Sequence, residues 1–138
     1  MPQLAMSEIM SKAARIKDRP RRIKYLQENY SKALHEVMAY GYDERVVWML
    51  PPEPPPYKPL DEAAEEAAGM LFTEYKKFYL FVKNGHPTLK QVRRETIYID
   101  LLERLHPEDA EMVVRLANKK LPKGITRELI EEAFGVYS

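Results

Sequence analysis

The sequence predicts a single all-α domain of about seven or eight helices, and three observations carry that prediction. Glycine is scarce, with five in 138 residues. Few stretches alternate apolar and polar residues as a half-buried strand would, whereas apolar residues recur at steps of three and four. Polar residues stand ahead of those runs as helix caps, at Asp18, Ser31, Asp43, Thr88 and Thr126. Their side-chain oxygens can accept from backbone N–H groups that a helix start leaves without partners. A chain of this length builds one core.

The first helix runs from about Ser7, turns Ile9, Met10, Ala13, Ala14 and Ile16 inward, and stops near Lys17 and Asp18. Asp18 caps a second, in which Pro20 falls where no N–H partner is needed and Ile23 and Leu26 face the core. Ser31 caps a third, carrying Leu34, Val37 and Met38 and ending at Gly41. Asp43 caps a short fourth through Val46, Val47 and Leu50, with Trp48 as a core or groove-wall residue. The run Pro51-Pro52-Glu53-Pro54-Pro55-Pro56-Tyr57-Lys58-Pro59 cannot be helical and reads as extended polyproline. A stiff connector is the preferred role, with a docking site for a proline-reading module as the alternative.

From Asp61 a helix of about twenty residues reaches Asn84-Gly85. Leu71, Phe72, Tyr75, Phe78, Tyr79 and Val82 make it the central buried element. Thr88 caps the next, which carries Val92, Ile97, Leu101, Leu102 and Leu105 inward and Arg93 and Arg94 on its early turns. Pro107, Glu108 and Asp109 open another, with acids placed well against the helix dipole and Met112, Val113 and Leu116 inward. Leu129, Ile130 and Phe134 belong to the last helix. The plan is one domain over residues 1–138: a helical half at 1–50, a proline-rich connector at 51–60, and a central helix with a second half at 61–138. A faint internal echo suggests pseudo-symmetry: Ile23-x-x-Leu26 followed by Ala33 resembles Ile99-x-x-Leu102 followed by Ala110.

The net charge of +1 says little about partners, but its distribution is uneven. Residues 12–24 hold seven bases (Lys12, Arg15, Lys17, Arg19, Arg21, Arg22 and Lys24) against one acid, Asp18, while residues 51–80 hold three bases and six acids. A second basic stretch, Lys119-Lys120-Leu121-Pro122-Lys123-Gly124-Ile125-Thr126, lies in a region from Met112 to Arg127 without a single acid. Thr126 caps the helix that follows, and Ile125 and Ile130 sit at the positions of a hydrophobic staple. A basic loop feeding the positive end of a helix suits an anion, and a nucleic-acid phosphate is the commonest one. If the two basic stretches meet in space they form an electrostatic footprint; if not, each is a solvated helix face.

Catalytic chemistry is not legible. His35, His86 and His106 are far apart, and there is no phosphate-cradling glycine loop, nucleophile elbow or metalloprotease motif. The absence of cysteine removes disulfides, thiol catalysis and thiolate metal sites, and fits a reducing cytoplasm. No apolar run reaches membrane-spanning length. The expectation is a non-enzymatic cytoplasmic protein with no metal, cofactor, small-molecule substrate or membrane partner.

The order of features resembles the helical N-terminal DNA-binding domain of ATP-dependent DNA ligases, of the kind found in T4-type phages, over residues of about 12–50 and 87–136. Ile16, Leu26, the Glu28-Asn29 turn, Leu34, Val37 and Tyr42 carry the first part. Val113-Val114-Arg115-Leu116, Lys119, Gly124 two residues before a hydroxyl cap, and Phe134-Gly135 carry the second. The chain is also similar to small uncharacterised proteins of such phages, which implies the cytoplasm of an infected bacterial cell. The resemblance implies a fold of two pseudo-symmetric halves whose loops lie on the minor groove at a nick. Carried over by position, those loops are residues 17–22, 42–45 and 119–126. The chain departs from the ligases in lacking any Lys-x-Asp-Gly motif, so it cannot seal a nick. It also lacks the proline beside the terminal glycine, has no clear counterpart for residues 51–70, and carries Glu44 where a base is expected.

The reading that follows is a non-catalytic protein that binds double-stranded DNA, intact or nicked, through phosphates and the minor groove with low sequence specificity, in phage replication or repair. The residues expected at the interface are Arg15, Lys17, Arg19, Arg21, Arg22, Arg45, Lys119, Lys120, Lys123, Gly124, Thr126 and Arg127. The alternative is a helical protein-interaction module, an adaptor or inhibitor of a replication or transcription protein, supported by the acidic segment 61–66 and the proline tract.

Overall fold

Side chains that supply missing acceptors set where several of the helices begin. In the computed structural model, which describes residues 4–61, 64 and 69–137, α1 spans Met6–Arg15 and α2 spans Arg19–Glu28. The Asp18 carboxylate caps α2 by accepting from the Arg21 amide at 3.1 Å. α3 (Lys32–Tyr42) is capped by Ser31, which accepts from Leu34 at 3.0 Å. α4 (Leu71–Glu74) runs on into a 3-10 helix, Tyr75–Phe81. α5 (Gln91–Arg104), α6 (Pro107–Ala117) and α7 (Arg127–Phe134) complete the fold. The chain is all-α; among the described residues the only extended pairings are two isolated bridges, Trp48 with Val82 and Gly69 with Leu105.

Helix α6 is the spine. α1, α3 and α5 pack on it, and α2 and α3 pack on α7. Leu26, Leu34 and Met38 from the first half of the chain join Leu102, Leu116 and Ile130 from the second in one fully buried cluster. Each such side chain contributes about 1.5–3 kcal/mol through removal of apolar surface from water. The two halves of the sequence thus share a core rather than forming separate lobes. Asp109 ties them further: this buried carboxylate accepts from the Ser7 amide in the first turn of α1 at 3.0 Å. Burial pushes its carboxyl up, and the Ser7 hydrogen bond opposes that.

Four expected boundaries fall elsewhere. Residues 46–49 form no helix; they are extended, with the Met49 amide donating to Phe81 O at 2.7 Å and the Lys83 amide to Val47 O at 2.8 Å. β-branched Val46 and Val47 and the prolines just beyond disfavour a helix here. Asp43, rather than capping, accepts from the Arg45 amide two residues on, closing a local side-chain turn at 2.9 Å. Trp48 lies among the rings of Tyr40, Phe78 and Phe81 and donates through Nε1 to Tyr40 O at 3.0 Å.

The long central helix expected from Asp61 starts instead at Leu71; its expected first turns, residues 62–63 and 65–68, lie outside the described residues. After Glu74 it tightens to three residues per turn, which stacks Tyr75, Phe78 and Phe81 on one face. Phe78 and Phe81 are fully buried, whereas Tyr79, expected inside, is 48% exposed. Thr88 does not cap α5, which begins three residues later behind Lys90 with no side-chain cap bond. Val92 near its start is exposed rather than inward. Gly41 lies within α3, not beyond it, and a Cβ there would overlap Leu116 Cδ2.

The proline tract is extended, as expected, but it is a strap along α5 rather than a bridge through solvent. The Lys58 amide donates to Glu103 Oε2 of α5 at 2.7 Å, and Tyr57 packs against the core. No helix among the described residues is long and apolar enough to cross a membrane.

Candidate nucleic-acid interface

The two basic stretches meet. Arg22, one turn into α2, reaches back to the end of α1 and donates through Nε to Ile16 O at 2.8 Å and through Nη2 to Ala14 O at 3.1 Å. These are carbonyls that the helix end leaves without intrahelical partners, and the cation also suits the negative end of the dipole. Its remaining nitrogen, Nη1, lies 3.4 Å from Gly124 O in the loop after α6. Gly124 has φ +83°, and its backbone comes so near α1 that an added Cβ would lie 3.1 Å from Ala14 Cβ. Both the left-handed backbone and the close approach call for glycine.

The same loop holds the third candidate segment, residues 42–45. α6 ends at Asn118 in a Schellman turn, in which the Lys119 amide donates to Leu116 O and the Lys120 amide to Arg115 O, each at 2.9 Å. Lys119 takes the left-handed position, φ 59°, where glycine is usual. Its ammonium then caps the end of α3, donating to Tyr40 O at 3.2 Å, Asp43 O at 2.7 Å and Val46 O at 3.2 Å. Desolvation lowers its pKa, while Asp43 and Glu44 push it back up. Arg127 at the start of α7 sits 5.0 Å from the centre of the Tyr42 ring and pairs with Glu131 at 3.1 Å and Glu44 at 3.7 Å. The loop between α6 and α7 is therefore a hub that joins the other two candidate segments.

The bases divide into two groups. Arg22 and Lys119 have their donors directed into backbone carbonyls. Arg45 is held by Asp43 through Nε at 3.0 Å and Nη2 at 2.6 Å, and Arg45 holds the Asp43 carboxyl at about 2, well below the usual carboxylate range. Arg19 pairs with Glu132 of α7 at 2.6 Å. Thr126 is engaged as the α7 cap, accepting from Leu129 at 3.1 Å. Lys17, Arg21, Lys120 and Lys123 form the other group: all are exposed, and among the described residues none has a hydrogen-bond or ion-pair partner on its side chain. Arg15 joins them, with only Ser11 Oγ at 3.1 Å.

Arg15 and Lys123 also open onto a groove of about 600 Å³ between α1, α6 and the loop, together with Arg115. Arg115 is not among the residues expected at the interface from sequence. Its guanidinium donates to Leu121 O through Nε at 3.0 Å and Nη2 at 2.8 Å, which folds the loop back on α6. The signal for it was present, since it is the one charged residue in Val113-Val114-Arg115-Leu116 and stands six residues before its acceptor. Glu108 and Glu111, on α6 with Arg115, also line the groove. Among the described residues there is no cluster of three or more His, Cys, Asp or Glu side chains able to hold a metal ion.

The sequence model of a family of unknown function (DUF6433) matches residues 9–123, a span that takes in the first basic stretch and the loop as far as Lys123. No curated protein and no solved structure matches the chain.

Proposed function

The chain belongs to the family of unknown function DUF6433, and we propose that it binds duplex DNA without catalysis, through phosphates and with low sequence specificity. The observation that carries this reading is the Arg22 clasp between Ile16, Ala14 and Gly124, which brings the two basic stretches into contact, with Lys17, Arg21, Lys120 and Lys123 exposed and unpaired. Unpaired cations around a rigid frame are what phosphate contact needs, because the backbone is recognised by charge and register rather than by base edges. Arg15 extends the face toward the groove. The N-terminus of α7, capped by the neutral Thr126 hydroxyl, adds partial positive charge, whereas the Asp18 carboxylate offsets that of α2. Lys119 and Arg22 organise the face and do not contact DNA. Arg45 and Arg127 contribute little, their charge being balanced by Asp43, Glu44 and Glu131.

The experiment is fluorescence anisotropy of a labelled intact duplex, the same duplex with a nick, and the single strand, each at low and moderate salt. Salt-sensitive binding to duplex that falls at least about tenfold in the variant K17A/R21A/K120A/K123A is expected, since four phosphate contacts are removed. Tighter binding to the nicked duplex than to the intact one assigns the protein to strand breaks. No binding to any of the three at low salt removes the reading.

A further inference from the structure

A cleft of about 240 Å³ lies on a different part of the molecule, between the proline strap and α5. One wall is Pro51 and residues 53–56, in which all but Glu53 are prolines. Prolines have no N–H, so this wall offers carbonyl oxygens and no donors apart from the Glu53 amide. Among the described residues no donor reaches any of those carbonyl oxygens. Two carboxylates, Glu53 on the strap and Glu95 on α5, complete the lining, and neither has an ion-pair partner among the described residues. Gln91 donates to one oxygen of Glu95 at 2.9 Å and leaves the other available. Neither arginine of the first turn of α5 lines the cleft: Arg94 is buried and donates to Leu80 O at 2.9 Å, and the exposed Arg93 has no ion-pair partner among the described residues.

The remaining wall is Tyr98 and Ile99. The Tyr98 ring is buried in the core, and its hydroxyl, which has no hydrogen-bond partner among the described residues, is not one of the buried polar atoms and stays open to the cleft. The cleft is thus an apolar slot ringed by acceptors: strap carbonyls, two carboxylates and one phenol oxygen. The complementary group has an apolar stem, a positive charge and several donors in a fixed fork, which describes arginine better than lysine.

We propose that the cleft between the proline strap and α5 docks an arginine side chain presented by an extended segment of a partner protein. The guanidinium meets Glu95 and Glu53, and the stem lies on Ile99 and the prolines. The strap does not act as a ligand for a proline-reading module but forms the wall of a receptor.

The test is a titration of the ¹⁵N-labelled protein with the peptide acetyl-Ala-Arg-Leu-Arg-Ala-amide, alongside its lysine and glutamate counterparts. Shift changes centred on Glu95, Tyr98 and Ile99 are expected, with no response to the glutamate peptide. The lysine peptide binds at least about threefold more weakly, because its ammonium cannot pair with a carboxylate through two bonds. E53Q/E95Q weakens binding about tenfold, as expected for removing both charge-assisted contacts. Y98F, which keeps the ring in the core, weakens it by a smaller factor. Equal binding of the lysine peptide, or shifts spread over exposed acids such as Glu28 and Glu128, overturns the proposal. So does concentration-dependent self-association abolished by E53Q/E95Q, which assigns the cleft to a second copy of the chain.

Discussion

The basic face and the proline-walled cleft rest on the same core but use opposite halves of the hydrogen-bond inventory. At the basic face the fold is closed by donors: Arg22, Lys119 and Arg115 each put their charge onto carbonyls at helix ends and turns. At the cleft the acceptors of residues 51–56 are left open. The difference teaches that a count of bases in the sequence overstates what is available to a partner. Helix C-termini consume cations wherever a long side chain can reach them, and only the remainder can meet a ligand. A wall of prolines has no comparable means of closing itself.

The comparison breaks most visibly at Arg22. Replacing it by Met removes its bonds to Ile16 and Ala14 and the link to Gly124, and urea denaturation should show a loss of about 2–3 kcal/mol. If the loss is under half a kcal/mol in rough terms, the clasp is ornamental and Arg22 belongs with the free bases. Lys119→Met should cost about 1–2 kcal/mol, less because the ammonium is partly solvated. Its duplex affinity, measured on folded protein, should change by less than about twofold, since one neutralised phosphate is not being lost. A large drop in affinity at unchanged stability would move Lys119 to the other group.

Gly124→Ala sharpens the contrast from the backbone side. The residue has φ +83° and an added Cβ would lie 3.1 Å from Ala14, so a cost of about 1 kcal/mol in thermal or urea denaturation is expected. The smallest effect is one of pH and separates the fold from the faces. His35 is buried among the rings of Tyr30, Phe134 and Tyr137; desolvation lowers its pKa, and the Gly135 carbonyl opposes that. The unfolded chain therefore binds the proton more readily than the folded one. Stability should be full above an unfolded histidine pKa of about 6.5 and decline as pH falls below it toward the lower folded value. His35→Phe should flatten that decline; an unchanged profile assigns the acid loss to other groups.

What could be read from sequence follows how local the physics is. The caps at Asp18, Ser31 and Thr126 are legible because each acceptor lies three residues from its donor. Asp43 and Thr88 have the same chemistry in front of apolar residues, but Val47 and Met49 pair with Lys83 and Phe81 at the end of the 3-10 helix and Thr88 sits in a turn. The three-residue spacing of Phe72, Tyr75, Phe78 and Phe81 fits a 3-10 helix, yet Leu71, Tyr79 and Val82, at the four-residue steps of an α-helix, masked it. At the candidate site the charges were visible and their engagement was not. Lys119 finds acceptors more than seventy residues away, at Tyr40, Asp43 and Val46. The extended form of the proline tract was likewise legible, because proline forbids the helix by itself, whereas its docking on α5 rests on Glu103.

The central claim is that Lys17, Arg21, Lys120 and Lys123 are the bases the fold leaves for phosphate. It is tested most directly by the salt dependence of duplex affinity, measured by anisotropy for the wild-type chain and for K17A/R21A/K120A/K123A. Four phosphate contacts predict that the logarithmic salt slope becomes shallower by about 3 to 4 in the variant, at unchanged folding stability. The same slope in both proteins would contradict the division of bases on which the account stands.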